Sequence, residues 1–248
     1  MNKVLGKVRK EWEDTVLLLR SVPSMLMVFF CVSVILMNLL ANKELSTGIE
    51  WLALDCGITV SWLSFLSMDM LAKRFGPKAA IKLSLIAMSV NLFVCGMLKI
   101  VSIAPGNWGE FYTFGEESIN LALNNTFGGT WYVLFGSTVA FVVSSIVNAI
   151  LNYGIGKMIK KKDFKEFAAR SYISTMVAQF VDNLVFALIV SVTFFGWNMV
   201  QVITCSLTGC LVELLCEVIF SPIGYKICKR WENENVGAAY IEGKGTKW

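Results

Sequence analysis

Apolar runs long enough to cross about 30 Å of hydrocarbon recur six times along the chain, near residues 22–41, 51–72, 80–103, 130–155, 170–195 and 198–226. Polar residues interrupt them at helical spacing, which predicts membrane-spanning helices with one polar stripe each. The stripe is densest between Arg170 and Phe186 (RSYISTMVAQFVDNLVF). Arg170, Ser174, Ala178 and Asp182 fall at successive i+4 steps, and Ser171, Thr175, Gln179 and Asn183 form the adjacent row. The opposite half of this helix is Phe, Leu and Val. A carboxylate near the centre of a bilayer costs on the order of 2.5–3.5 kcal/mol on insertion scales, so the polar face must turn into protein or water. Two uses fit such a face, a structural hydrogen bond between helices and a solute-binding surface; the second is the working expectation.

The other runs carry related stripes. The first has Cys31, Asn38 and Asn42; the second opens with Asp55 and Thr59 and closes with Ser67 and Asp69. The third has Ser84, Asn91, Cys95 and Lys99, and the fourth Ser137, Ser144, Asn148 and Asn152. In the sixth, Gln201, Cys205, Gly209, Glu213 and Glu217 all stand at i+4 steps. A dry bundle would prefer Gly, Ala and Ser at its seams, whereas converging amides and carboxylates enclose a hydrated or ligand-filled cavity. Lys99 either neutralises a buried carboxylate or, as expected here, snorkels to the headgroups from the end of its span. Asn38-x-x-x-Asn42 and Asn148-x-x-x-Asn152 are each followed, one span later, by an aspartate, Asp69 and Asp182. Opposite directions of the first and fourth spans would make this echo an inverted pair of three-helix repeats, with a solute site at their interface.

Charge sets the orientation. With the amino terminus inside, every Lys and Arg of the 22 except Lys43 and Lys99 falls at a cytoplasmic end, loop or tail. Residues 1–21 are amphipathic, with Val4, Leu5, Val8, Trp12, Val16 and Leu19 on one stripe and basic residues opposite. They are expected as an unprocessed interfacial helix on the anionic inner leaflet. Residues 22–230 form the six-span domain, and 231–248, polar and glycine-containing, a flexible cytoplasmic tail. The connection 104–129 has three glutamates, no Lys or Arg, and a run of Trp108, Phe111, Tyr112 and Phe114. It reads as a loop anchored at the headgroups or as a lid over an outer vestibule.

Composition narrows the class. Of 248 residues 56% are hydrophobic and 16% charged, against about 25% charged in soluble domains. The fold expected is therefore an all-α integral membrane protein. The net charge of +4 follows the membrane and gives no nucleic-acid signal. Seven scattered cysteines and no histidine leave no disulfide framework, metal set or cofactor, and no nucleophile–base pair for an enzyme.

Three segments together resemble the bacterial queuosine precursor transporter family, also labelled putative vitamin uptake transporters. Asn38 to Lys43 (NLLANK) closes the first span as in that family. Asp69 to Ala80 (DMLAKRFGPKAA) is similar to its Asp-x-x-x-Glu-x-Tyr-Gly-Lys-x-x-Ala cytoplasmic motif, and Arg170 to Phe186 to its Arg-x-x-x-Ser…Gln-x-x-Asp-x-x-x-Phe motif. Ser221 to Tyr225 resembles the Pro-x-x-Tyr exit of its last span. Lys73 stands where the family is acidic, Phe75 where it has Tyr, and Pro77 where it usually has Lys. The resemblance implies import of 7-deazaguanine bases, queuine or its cyano and aminomethyl precursors, across the bacterial cytoplasmic membrane for tRNA modification.

A guanine-like edge presents two adjacent N–H donors, which one carboxylate accepts in bidentate fashion. Asp182 with Gln179 and Asn183, facing Glu213 or Glu217, supplies that acceptor set. Asn38, Asn91 and Asn148 are further candidates from the other stripes. The partners expected are thus a small-molecule base and the lipid bilayer, with homo-oligomerisation left open. The alternative is a substrate-binding subunit of an energy-coupling-factor vitamin importer. Such subunits usually present small residues at a coupling patch, where the first span here is bulky.

Overall fold

A computed structural model describes residues 2–158 and 164–243; within these, side chains at 2–4, 148–149, 152–158, 164–172, 174–175, 217 and 221 are not described. In chain order the first elements are α1 (Asn2–Ser21), α2 (Ser24–Leu40), a hairpin of β1 (Glu44–Leu45) and β2 (Leu54–Asp55), α3 (Ile58–Phe75) and α4 (Pro77–Ile103). Then come α5 (Gly109–Phe114), α6 (Glu117–Met158), α7 (Phe164–Phe186), a π-helical turn Ala187–Ser191, α8 (Val192–Phe195), α9 (Met199–Asn233) and α10 (Ala238–Gly243). The described residues are all-α apart from the two-residue strands. The basic loop centred on residues 159–163 lies outside the described residues.

Four described stretches are long and apolar enough to cross a membrane: Pro77–Ile103, Glu117–Val147, Met176–Phe195 and Met199–Phe220. A fifth is reached if Leu5–Ser21 and Ser24–Leu40, which bend by 104°, count as one broken span. The expected first and second spans are thus shorter or more polar than their runs implied. Pro23 holds the residue before it out of the α-helical region and separates α1 from α2, leaving α2 only 17 residues. The run beginning at 51 becomes helical only at Ile58, and the buried face of α3 carries Ser61, Ser64 and Ser67.

The connection 104–129 is also more ordered than a loop. Its Trp108 lies along the start of α6, donating from Nε1 to Asn124 Oδ1 at 2.8 Å and stacking on Phe127 at 5.1 Å. The tight turn at Gly196-Trp197-Asn198 forms as the residues require. Gly196 closes α8 with φ 66°, and Asn198 opens α9 in a capping box with Gln201.

Helices α2, α3 and α4 pack on one another, α7 packs between α6 and α9, and the two groups meet through α4 with α6 and α3 with α9. One apolar core fills the end of the bundle at the α3–α4 turn. That turn is a single residue, Gly76, at φ 90° and ψ 161°, with Pro77 starting α4, a conformation that side chains with a Cβ avoid. Phe75, Leu83, Phe30 and Leu18 gather there with Tyr240 from the tail. Lys82 of α4 ties α1 to this core through Asp14 and Glu11, at 2.7 and 2.6 Å.

The tail therefore does not leave the bundle at Trp231. The Arg74 guanidinium donates twice to the Val236 carbonyl, at 2.9 and 2.6 Å, and Tyr240 is buried against Phe75. Gly237 turns the chain at φ 77°, with the Phe75 ring where a Cβ would stand. Gly237→Ala is expected to release α10 and destabilise the protein by at least about 1 kcal/mol, read as a lower melting temperature in detergent. An unchanged melting temperature would mean that the tail contributes no stability.

Candidate functional site

The polar rows of α7 and α9 meet at a close approach between Asn183 and Gly209. Gly209 makes that approach possible, since a Cβ on it would stand 2.8 Å from Asn183 Nδ2. Asn183 donates to Glu213 Oε2 at 3.4 Å, and Ser61 of α3 donates to Glu213 Oε1 at 3.0 Å. Glu213 is buried, 4% exposed, so these two donors replace water on both of its oxygens. One step away, Ser144 of α6 donates to Asp182 Oδ1 at 2.8 Å. Four helices thus converge on two carboxylates.

These groups line a cavity with about 570 Å³ of empty space, its opening included. Asp182, Asn183 and Phe186 come from α7, Gly209 and Glu213 from α9. Asn38, Ser61, Phe65 and Ser137 close the other sides from α2, α3 and α6. The lining therefore combines carboxylate and amide acceptors with two aromatic rings. A second cavity of similar size adjoins it and shares Met37, Asn38, Phe65, Ser137 and Asp182.

Just beyond the site, the π-helical turn Ala187–Ser191 widens the helix, a device common next to functional sites. Tyr132 and Thr193 hydroxyls both donate to the Ile189 carbonyl there, at 3.0 and 2.8 Å. Gly136 of α6 gives Val190 room that a Cβ would fill. The turn is locked against α6, and with it the register of Asp182 and Phe186.

The hairpin, not residues 104–129, covers the first cavity. None of residues 104–129 lines either cavity. Asp55 and Gly57 do, and three bonds hold the hairpin segment to the start of α9 and the turn before it. Thr204 donates to the Trp51 carbonyl at 2.6 Å, Gln201 to the Glu50 carbonyl at 3.2 Å, and Trp197 Nε1 to Glu44 Oε1 at 2.9 Å. Burial in this hairpin pushes the Asp55 carboxyl up to about 6, against the Gly57 N–H, which stabilises the charged form.

Of the residues singled out by pattern, Asp182, Asn183, Glu213 and Asn38 are brought together on one cavity. Gln179 and Asn91 line neither cavity; both are buried, with Gln179 Oε1 and Asn91 Nδ2 lacking a hydrogen-bond partner among the described residues. Asn148 and Glu217 fall on α6 and α9, with side chains outside the described residues. Lys99 is exposed near the end of α4 and lines neither cavity. Sequence reasoning missed Ser61 and Phe65. The signal for Ser61 was present in Ser61, Ser64 and Ser67, at successive three-residue steps on one face of α3 and all buried.

The chain is a helical bundle with apolar helices long enough to span a membrane and the carboxylates of Asp182 and Glu213 on one cavity. A family model described as "Putative vitamin uptake transporter" matches residues 55–227, and the chain belongs to that family. The match spans the chamber's α3, α7 and α9 residues. Comparison with curated proteins and with solved structures finds no match.

The close approach at Gly209 gives a direct check on the site's frame. Gly209→Val is expected to push α9 off Asn183 and lower the melting temperature. Gly96→Val, at a glycine with no atom near its absent Cβ, serves as the control and should melt like the parent. Equal melting of both variants would contradict the packing described.

Proposed function

We propose that the protein imports queuosine precursors, 7-deazaguanine bases such as queuine, and that Asp182 takes the base's donor edge. The observation that carries this reading is the placement of Asp182, Asn183 and Glu213 on one cavity together with the rings of Phe65 and Phe186. A planar base with adjacent N–H donors matches a lining that offers both acceptors and aromatic rings. Asp182 Oδ1 is engaged by Ser144 alone among the described residues, which leaves acceptor capacity for a ligand.

In this reading the chain makes six spans in a bacterial cytoplasmic membrane, with both termini inside. The two shorter spans are α2 and α3. The hairpin side is outside, and the α3–α4 turn, with Lys73, Arg74 and Lys78, is inside. The spans form two inverted sets of three, α2 to α4 and α6 to α9, with the site between them. Residues 1–21 lie on the inner leaflet: Leu5, Val8 and Trp12 are exposed on a helix bent away from α2. The carrier works without ATPase subunits, because the exposed face of α2 is Met25, Val28, Phe29 and Val32 in place of small residues. Co-purification with ATPase subunits would favour the energy-coupling-factor alternative.

Asp182→Asn tests the role of the carboxylate. The change keeps the size, removes the charge, and sets an NH2 donor against the donors of the base, where a hydrogen bond to a charged group contributes about 1.5–3 kcal/mol. Queuine affinity is expected to fall about tenfold or more, with no loss of melting temperature, because the amide is cheaper to keep in a membrane than the carboxylate. A purely structural Asp182 gives the reverse, a lower melting temperature with affinity unchanged. Thermal-shift screening of the parent protein against queuine, its precursors and common vitamins tests the solute class itself; stabilisation by a vitamin alone would overturn it.

A further inference from the structure

The two cavities are stacked along the helices, and their linings differ in kind. Along α2, the first touches Met37, Asn38 and Ala41, and the second reaches back to Val34 and Phe30. Ala41 and Phe30 are about 16 Å apart at 1.5 Å per residue. On α3 the first cavity begins at Ile58 and the second ends at Met68. Asn183, Gly209 and Glu213 belong only to the first, on the hairpin side. Ser84 and Met88 of α4 belong only to the second, on the side of the α3–α4 turn.

Asp182 and Phe65 stand at the junction, on both linings. Phe65 is flanked by Ser61 and Ser64, small residues one facing each cavity. Met68 and Met88 line the second cavity with it and Met37 lines both, unbranched chains that repack around a moving ring. The first cavity offers two carboxylates and two amides, Asn38 and Asn183, besides the hairpin's Asp55. The second keeps one carboxylate, the shared Asp182, and is otherwise Met, Phe, Leu, Val and Ser with Asn38. A flat polar solute passing from one to the other would exchange most of its hydrogen bonds for apolar contact while one bond persisted.

We propose that the second cavity is a separate release station for the solute, that Phe65 divides the two stations, and that Asp182 holds the solute from either side. This rests on the import reading given above. Capture then takes place on the acceptor-rich hairpin side. Release takes place where Glu213 and Asn183 are out of reach and the solute is held least. Phe65 is a positioning residue in this scheme, since it excludes one station while the other is filled.

The test separates binding from passage, with queuine as the probe. Ser84→Phe fills the second cavity from α4 and leaves the residues Asp182, Asn183 and Glu213 themselves in place. Queuine affinity of the purified variant is expected within about twofold of the parent, with uptake into cells expressing it reduced at least tenfold. Met88→Trp fills the same space from one turn along α4 and should do the same, so a fold failure of either variant leaves the other to decide. Uptake and affinity both at parental levels in a folded variant would overturn the release station. Affinity lost together with uptake in a folded variant would overturn it as well, by showing that the two cavities make one binding site. A parent protein that does not bind queuine fails the import reading instead, and that result precedes any variant.

Discussion

Everything in this structure is arranged around the cost of keeping carboxylates among apolar helices. Glu213 is taken out of water by α3, α7 and α9, and each of its oxygens receives a donor from a different helix. Asp182 receives one from a fourth. A buried charge deprived of a partner destabilises by several kcal/mol, roughly 3–5 in measured cases, so Ser61, Asn183 and Ser144 fix how α3, α6, α7 and α9 meet. Glycine at 209 is a consequence of the same constraint, because any side chain there would push Asn183 off its acceptor. What remains unfilled at the convergence is the chamber.

The ends of the bundle solve different problems. At the hairpin end, a short two-stranded segment is pinned to α9 by backbone carbonyls and lies over the chamber. At the other end, the first and last helices close an apolar core over the Gly76 turn, held by Lys82 to α1 and by Arg74 to the tail. Basic residues that the sequence places at the membrane surface thus also act as fixed donors. Lys73, which reverses the charge usual at that place in the related motif, stands 3.7 Å over the Tyr225 ring of α9. A cation over an aromatic face is a stable placement at a membrane surface, and it joins α3 to the exit of α9.

Much of the site was legible because charge in an apolar run is rare and helical spacing assigns it to a face. Asp182, Asn183 and Glu213 were found this way, and the structure brings them together. A stripe reports a face, however, and says nothing of depth. Asn91 shares its face of α4 with Ser84, yet Ser84 reaches the second cavity and Asn91, nearly two turns further on, packs in the bundle. Gln179 stands one turn below Asp182 and rotated from it, which suffices to miss the chamber. The hairpin escaped notice because Leu52, Ala53 and Leu54 continue the apolar run smoothly; what halts the helix is the turn at Asp55 and Gly57 and the contacts with α9. The docking of the tail is not legible for a similar reason. Its composition is polar, and the partners that order it, Arg74 and Phe75, lie far away in sequence.

The central claim is that the chamber beside Asp182 receives the transported base. An experimentally determined structure of the purified protein with saturating queuine tests it most directly. The account predicts the base between Phe65 and Phe186, its adjacent N–H groups on Asp182 and its remaining polar edge toward Asn183 and Glu213. Queuine bound elsewhere, with Asp182 turned onto protein donors and the chamber filled by side chains, would contradict it.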